Sequence, residues 1–472
     1  MLRPIDHDES QYVAAAVLAQ TGFPYRDFAY LQTPLQPVLF APLTALAGDF
    51  AWPVLRLVNA LLGALTIILT YVSARRIGAD QGIALAVALL FAACDILLFT
   101  AAMARNDALP AALLAAGLCL ALRPTHMPLS AFGAGLCFAA AAAAKVSFAL
   151  PAGAFGIYVL FHRQHRPMFV ALGALAPVVF VAWSYVLAPA NFMFGVIDFP
   201  SLAPAEFYAS KPFKLSPVMK LLDTLKFLAL GPALLALALV AAHRQGGRDT
   251  RLLDLLIISG LIAALLPSPV WRQYLMPVLP PLFVRLAVLW RIRPPARTMR
   301  IAFAAFVVAG LAPSVESLVG QRVAMAGALS EGRAIRAAMN LAQVTGSVAT
   351  LSPQFLSMTG RLPDVRFATG PFFWRSRALM PPGDEAPRHV MTARTINAQF
   401  GPGTGRLPAA VLVGGEGVWT SGDPQADAAL ESWAIRARWK RIQIASKRFR
   451  LYVPLIRSLS DRAPARAASK DS

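Results

Sequence analysis

From Ala51 to about Leu318 the chain repeats one pattern: an uncharged, strongly apolar stretch, then a short polar loop. Stretches of roughly 18 to 25 such residues are long enough to cross the hydrocarbon core of a bilayer as helices. The pattern predicts spans near 53–73, 82–101, 108–122, 128–144, 147–161, 168–188, 221–242, 252–267, 273–290 and 301–318. The third is short enough to form part of a tilted or bent hairpin. After Leu318 the periodicity changes. "SVATL" (347–351), "AAVLVGG" (409–415) and "RLYVPL" (450–455) read as strands. "DPQADAALESWAIRARW" (423–439) reads as a helix with Asp423 as its N-cap. The expected architecture is a polytopic α-helical membrane protein of about ten spans (1–320, with 1–50 as a first external loop). A C-terminal external α/β domain (321–460) and a disordered tail (461–472) complete it.

Composition agrees. Of 472 residues, 57% are hydrophobic and only 14% charged, whereas soluble domains average nearer ~25% charged. The net charge of +20 matters through its placement. The loops 73–81, 123–128, 162–167, 243–251 and 291–300 are short and basic, and the positive-inside rule puts all five in the cytoplasm. The alternate loops then face outward, as do the acidic opening and the C-terminal domain. No basic patch is interleaved with aromatic platforms, so nucleic acid is not an expected partner; membrane lipids are. The three cysteines lie in apolar stretches and read as core residues. No CxxC, HExxH or phosphate-binding glycine loop is present.

Charges that survive on the outward side converge: Asp6, Asp8, Glu9, Arg105, Asp107, Lys145, Lys211, Lys214 and Arg272. A cavity lined by carboxylates and cations suits transfer of a sugar from a lipid phosphate. A carboxylate takes the acceptor's proton, cations stabilise the departing phosphate, and the sugar passes through an oxocarbenium-like state. Blander readings stand beside this one. Asp8 and Glu9 could cap a helix beginning near Ser10, and Arg105 and Asp107 could be an exposed pair of little worth. His7 lies among carboxylates, but adjacent positions do not suit one tidy metal site. Asp95, an acid inside a span, is equally a functional group or a satisfied buried one. Tyr25, Tyr30 and Trp271 read as interfacial aromatics, and "GGEG" (414–417) as a tight turn.

The opening "DHDESQYVAAAVLAQTGFPYRDFAYLQTPLQPVLFAPL" (6–43) resembles the first external loop of GT-C type membrane glycosyltransferases, in the group of lipid A aminoarabinose transferases and protein O-mannosyltransferases. "ARNDALPAALLAAGL" (104–118) resembles that group's Arg-x-Asp loop and "RQYLMPVLPPL" (272–282) its late proline motif, in the same order along the chain. The resemblance covers roughly residues 5–320. It implies a polyprenyl-phosphate sugar donor, an envelope lipid, glycan or protein acceptor, and inversion at the anomeric carbon. By position it assigns Asp8 and Glu9 as catalytic, Arg105, Lys145 and Arg272 to the donor phosphate, and Asp6, Asp107 and Tyr274 to supporting roles. It implies no firm cofactor, with room for a divalent metal, in a bacterial inner membrane protein with lipopolysaccharide among its acceptor classes. In that group a membrane helix precedes the acidic loop; here five residues do, so the first helix is expected to be missing. The reading from a different class is a transporter or flippase of a lipid-linked anion.

Overall fold

The computed structural model describes residues 3–122, 127–243, 247–320, 324–401, 407–416, 423 and 425–455. The tail expected at 461–472 lies outside the described residues. Two short helices build the acidic opening, α1 (Glu9–Leu18) and α2 (Leu35–Ala47). The bundle follows as α3 (Ala51–Arg76), α4 (Gln81–Ala92), α5 (Asp95–Ala102), α6 (Ala108–Ala121), α7 (Pro128–Ala144), α8 (Ala149–Phe161) and α9 (Pro167–Leu187). After α10 (Pro189–Met193) and α11 (Phe199–Phe207) come α12 (Pro217–Ala229), α13 (Ala233–Ala242), α14 (Arg248–Leu265), α15 (Leu279–Ile292) and α16 (Arg297–Gly320). Each predicted span therefore has a helical counterpart. By length and composition, four described helical stretches can cross a bilayer unaided, and two bent pairs add to them.

The bends are not where the sequence suggested. The third span, α6, is continuous, whereas α4 and α5 meet at 64° and α12 and α13 at 105°. A break exposes backbone groups that lipid cannot satisfy. Here the two breaks satisfy each other, because the Asp95 N–H at the head of α5 donates to the Leu230 carbonyl at the end of α12 (2.9 Å). Between them α15 is buried from Leu279 through Trp290, packed by α3, α4, α13 and α14. At the outer layer α7 and α9 cross closely. A Cβ on Gly135 would sit 2.0 Å from the Val170 carbonyl oxygen, and one on Gly173 would sit 1.9 Å from that of Phe132. Only glycine allows backbones so near.

The C-terminal region opens with α17 (Ala324–Leu341) and holds a four-stranded sheet. Its strands are β1 (Val348–Ala349), β2 (Ala410–Val413), β3 (Lys440–Ile442) and β4 (Arg450–Val453), in the order β1-β2-β4-β3. β1 runs parallel to β2 and the other pairs are antiparallel. Alternate strand residues face opposite ways. Val348, Ala410, Leu412 and Leu451 join a core with Val13, Trp52, Leu55 and Ile335 from α1, α3 and α17. Ala349, Val411, Val413 and Tyr452 pack instead on Leu430, Trp433 and Ala434 of the helix Ala428–Arg436. One sheet face is thus glued to the bundle beside the acidic opening. β3 had no sequence signal, being a three-residue edge strand of Lys, Arg and Ile.

The helix expected from Asp423 begins at Ala428, preceded by Asp427, whose carboxylate does not cap it. Its Oδ2 accepts instead from the Gly414 N–H (2.8 Å). Burial first, then the neighbouring Glu416 charge, pushes the Asp427 carboxyl up to about 7. A raised acid stabilises the fold while protonated and loses that contribution as pH rises from its ordinary 3.8 through about 7. Asp427→Asn is therefore expected to raise the thermal midpoint at pH 8 and leave it nearly unchanged at pH 4. A midpoint equally shifted at both pH values would contradict this.

Candidate active site

Trp52, Arg56 and Asn59 recur at helical spacing on one face of α3 and aim at the opening. Glu9, the first residue of α1, receives the Arg56 guanidinium through Nε (2.7 Å) and Nη2, the Trp52 indole N–H (3.0 Å) and the Ala104 backbone N–H (2.8 Å). Asn59 holds the neighbouring loop by donating to the carbonyls of Met103 (2.6 Å) and Arg105 (2.8 Å). The acidic opening and the loop between α5 and α6 are therefore fixed to the same helix.

Across this join runs one chain of charges. Arg105 Nη1 donates to Asp6 (3.1 Å) and Asp8, and its Nε to Asp107 (3.2 Å). Asp107 also receives Lys145, which stands just past the end of α7. Arg105, Asp107 and Lys145 are sealed, at 3%, 0% and 3% side-chain exposure, whereas Asp6, His7 and Asp8 keep 18%, 22% and 17%. Along this chain of charges the part-open members are therefore Asp6, His7 and Asp8. Burial works to raise the Asp8 carboxyl, but Arg105 and the hydrogen-bonded His7 outweigh it and hold Asp8 well below the usual carboxylate range. Burial and repulsion from Asp8 leave Asp6 raised despite Arg105. Burial also lowers Lys145, against the pull of Asp107.

Arg272 reaches the network through an aromatic ring. Its guanidinium lies 4.3 Å from the centroid of Phe99, and that of Arg105 lies 5.3 Å from the same ring. Its Nη1 donates to Asp95 (2.7 Å), which also binds Arg3, while Arg3 donates to Ser314 (2.8 Å). With 30% of its side chain exposed, Arg272 is far more open than Arg105 or Lys145. Tyr274 follows in the same 3₁₀ turn, and its ring lies 5.7 Å from the Lys145 ammonium.

The structure brings together Asp6, Asp8, Arg105, Asp107, Lys145, Arg272 and Tyr274. Among the described residues Lys211 and Lys214 make none of these contacts. Four expectations need correction. Glu9, expected among the catalytic groups, is fully buried and takes its partners from Arg56, Trp52 and the Ala104 N–H, so it ties α1 to α3 and to the loop after α5. Asp8 makes no side-chain cap to α1; its Oδ2 pairs with Arg105 and its Oδ1 with His7 instead. Tyr25 and Tyr30 are not interfacial but buried, at 0% and 1% exposure, in a cluster with Tyr12 and Phe28. Asp6, His7 and Asp8, adjacent in sequence, fold so that one ligand atom of each lies within 4.8 Å of the others, so this trio could hold a divalent cation. Sequence reasoning missed Arg56, Arg3 and Phe99. Arg56 left a signal, a lone charge near the head of an apolar span; Phe99 left none.

Residues 30–269 match the family model of glycosyltransferase family 87. The chain belongs to that family. No curated protein matches the sequence of this family 87 glycosyltransferase. Its fold is similar to that of ArnT from Cupriavidus metallidurans. Against the undecaprenyl phosphate-bound crystal structure the TM-score is 0.57 at 16% identity, over 97% of this chain and 95% of ArnT. Against the apo structure it is 0.57 at 17% identity, over 96% and 94%. At such identities the likeness is one of fold. The glycosyltransferase is thus a multi-pass membrane enzyme of GT-C type, as the resemblance implied, and the transporter reading is not favoured.

Proposed function

We propose that this glycosyltransferase moves a sugar from a polyprenyl-phosphate donor to a hydroxyl of an envelope lipid, glycan or protein. The reaction takes place on the outer face of a bacterial inner membrane, with the C-terminal domain on the periplasmic side. One observation carries the reading: an ionised, part-open carboxylate, Asp8, in a network whose exposed cation, Arg272, shares the Phe99 ring with Arg105. The undecaprenyl phosphate held by ArnT, a protein of the same fold, supports the donor class.

The acceptor oxygen forms its bond to the anomeric carbon as the bond from that carbon to the phosphate oxygen breaks, and polyprenyl phosphate leaves. Arg272 neutralises the charge building on the phosphate, with Lys145 and Arg105 behind it. Attack from the side opposite the phosphate inverts the centre. Asp8 is a weak base, which suits a loose transition state: the hydroxyl becomes strongly acidic only as its new bond forms, and the proton then passes to Asp8.

A charge-assisted contact of this kind is worth about 1.5–3 kcal/mol. Arg272→Gln is therefore expected to lower kcat/KM for the donor by roughly 10- to 100-fold. The check is transfer by the purified enzyme from an undecaprenyl-phosphate sugar in detergent. Unchanged donor kinetics in a folded variant would remove Arg272 from the site. No release of undecaprenyl phosphate by the native enzyme would sink the donor class.

A further inference from the structure

Asp8 is part-open, with Asp6 and His7 beside it, and the C-terminal segment comes up against this trio. The ring of Phe372 lies 5.7 Å from that of His7. Three residues on, at the end of the same short helix, stands Arg375, near enough to His7 for its charge to act on the imidazole. Its Nη2 donates to Glu416 (2.7 Å), while its Nε is buried with no hydrogen-bond partner. The side chain is 12% exposed. Glu416 belongs to the "GGEG" turn, for which the transfer reaction found no use. Gly414 sits at φ +103°, and a Cβ there would fall 2.1 Å from the Arg448 carbonyl oxygen; one on Gly415 would fall 2.2 Å from Ser352 Oγ. Only glycines allow the turn to press this close to the sheet, and the closeness lets the fully buried Glu416 hold the guanidinium from behind.

We propose that Arg375 and Phe372 form an acceptor subsite that binds an anionic group, phosphate or carboxylate, carried near the accepting hydroxyl. The chemistry follows from the surroundings. The opening presents the carboxylates of Asp6 and Asp8, and Arg105 behind them is shared with Asp107, so an acidic acceptor needs a further cation of its own. A guanidinium held by a carboxylate on one edge and part-open on the rest is suited to oxyanions. The Phe372 ring offers an apolar face to the body of the same molecule.

The inference rests on the transferase reading, so the test separates the two. The full chain in detergent is first saturated with undecaprenyl phosphate, which occupies the donor site; failure of this step counts against the donor reading and not against the subsite. Methyl phosphate, acetate and, as a neutral control, methanol are then titrated and binding is followed calorimetrically. Methyl phosphate is expected to bind more tightly than acetate, with no heat from methanol. Arg375→Gln is expected to weaken methyl phosphate at least tenfold, and Arg375→Lys, which keeps the charge but not the fork, by less. Arg272→Gln should leave this second binding intact. Methyl phosphate binding that is lost in Arg272→Gln and unchanged in Arg375→Gln or Arg375→Lys would overturn the proposal, as would no anion binding in the native protein after donor saturation.

Discussion

Asp8→Asn is expected to lower sugar transfer by roughly 10²- to 10⁴-fold, the range for removal of a positioned proton acceptor, while the fold survives. The substitution is isosteric, and Asp8 is among the few part-open groups of the network, so no sealed charge loses its only partner: Arg105 keeps Asp6 and Asp107. What disappears is the anion that orients the acceptor hydroxyl and receives its proton. In cells, mass spectrometry of lipids and envelope glycans should find Asp8→Asn indistinguishable from deletion. A polyprenyl-phosphate sugar should accumulate and one glycan modification should vanish. If Asp8→Asn behaves like the native protein while deletion does not, Asp8 is not the base and another carboxylate must take the role. Asp6 is then the first to examine, since it too is part-open and binds the same arginine.

The second large effect is expected one step behind the chemistry. Glu9 and Arg56 form an ion pair with neither side chain exposed. Removing one partner of such a pair strands the other charge in a medium that cannot solvate it, at a cost of about 3–5 kcal/mol. Glu9→Gln is expected to lower the thermal midpoint sharply and to reduce activity with it. Glu9 also accepts the Ala104 N–H, at the entrance to the loop that carries Arg105 and Asp107. Replacing both partners, Glu9→Gln with Arg56→Met, should recover part of the stability because no charge is then left alone, but not the activity, because the loop is still released. A double variant less stable than either single one, measured by thermal unfolding in micelles, would show that the pair is not the unit that holds the join.

The sequence by itself determined the membrane class, the helices behind all ten predicted spans, the three named strands of the C-terminal sheet and the charges from Asp6 to Lys145 and Arg272, though not Arg3 or Arg56. These rest on local signals: apolar length, strand-type runs, and charge in places where charge is costly. It could not decide where helices break. The bends at Cys94 and Leu230 depend on a hydrogen bond between segments more than 130 positions apart, and no window along the chain contains both ends of it. Nor could it separate Asp8 from Glu9. The two acids are neighbours, but the first turn of α1 points one at Arg56 in a sealed core and leaves the other part-open beside Arg105. Exposure is a property of packing, and it divides the two roles. The same holds for the C-terminal sheet: the apolar run of β2 showed that a strand would form, and only the docking of one face on α1, α3 and α17 brought this part of the chain, with Phe372, up against His7.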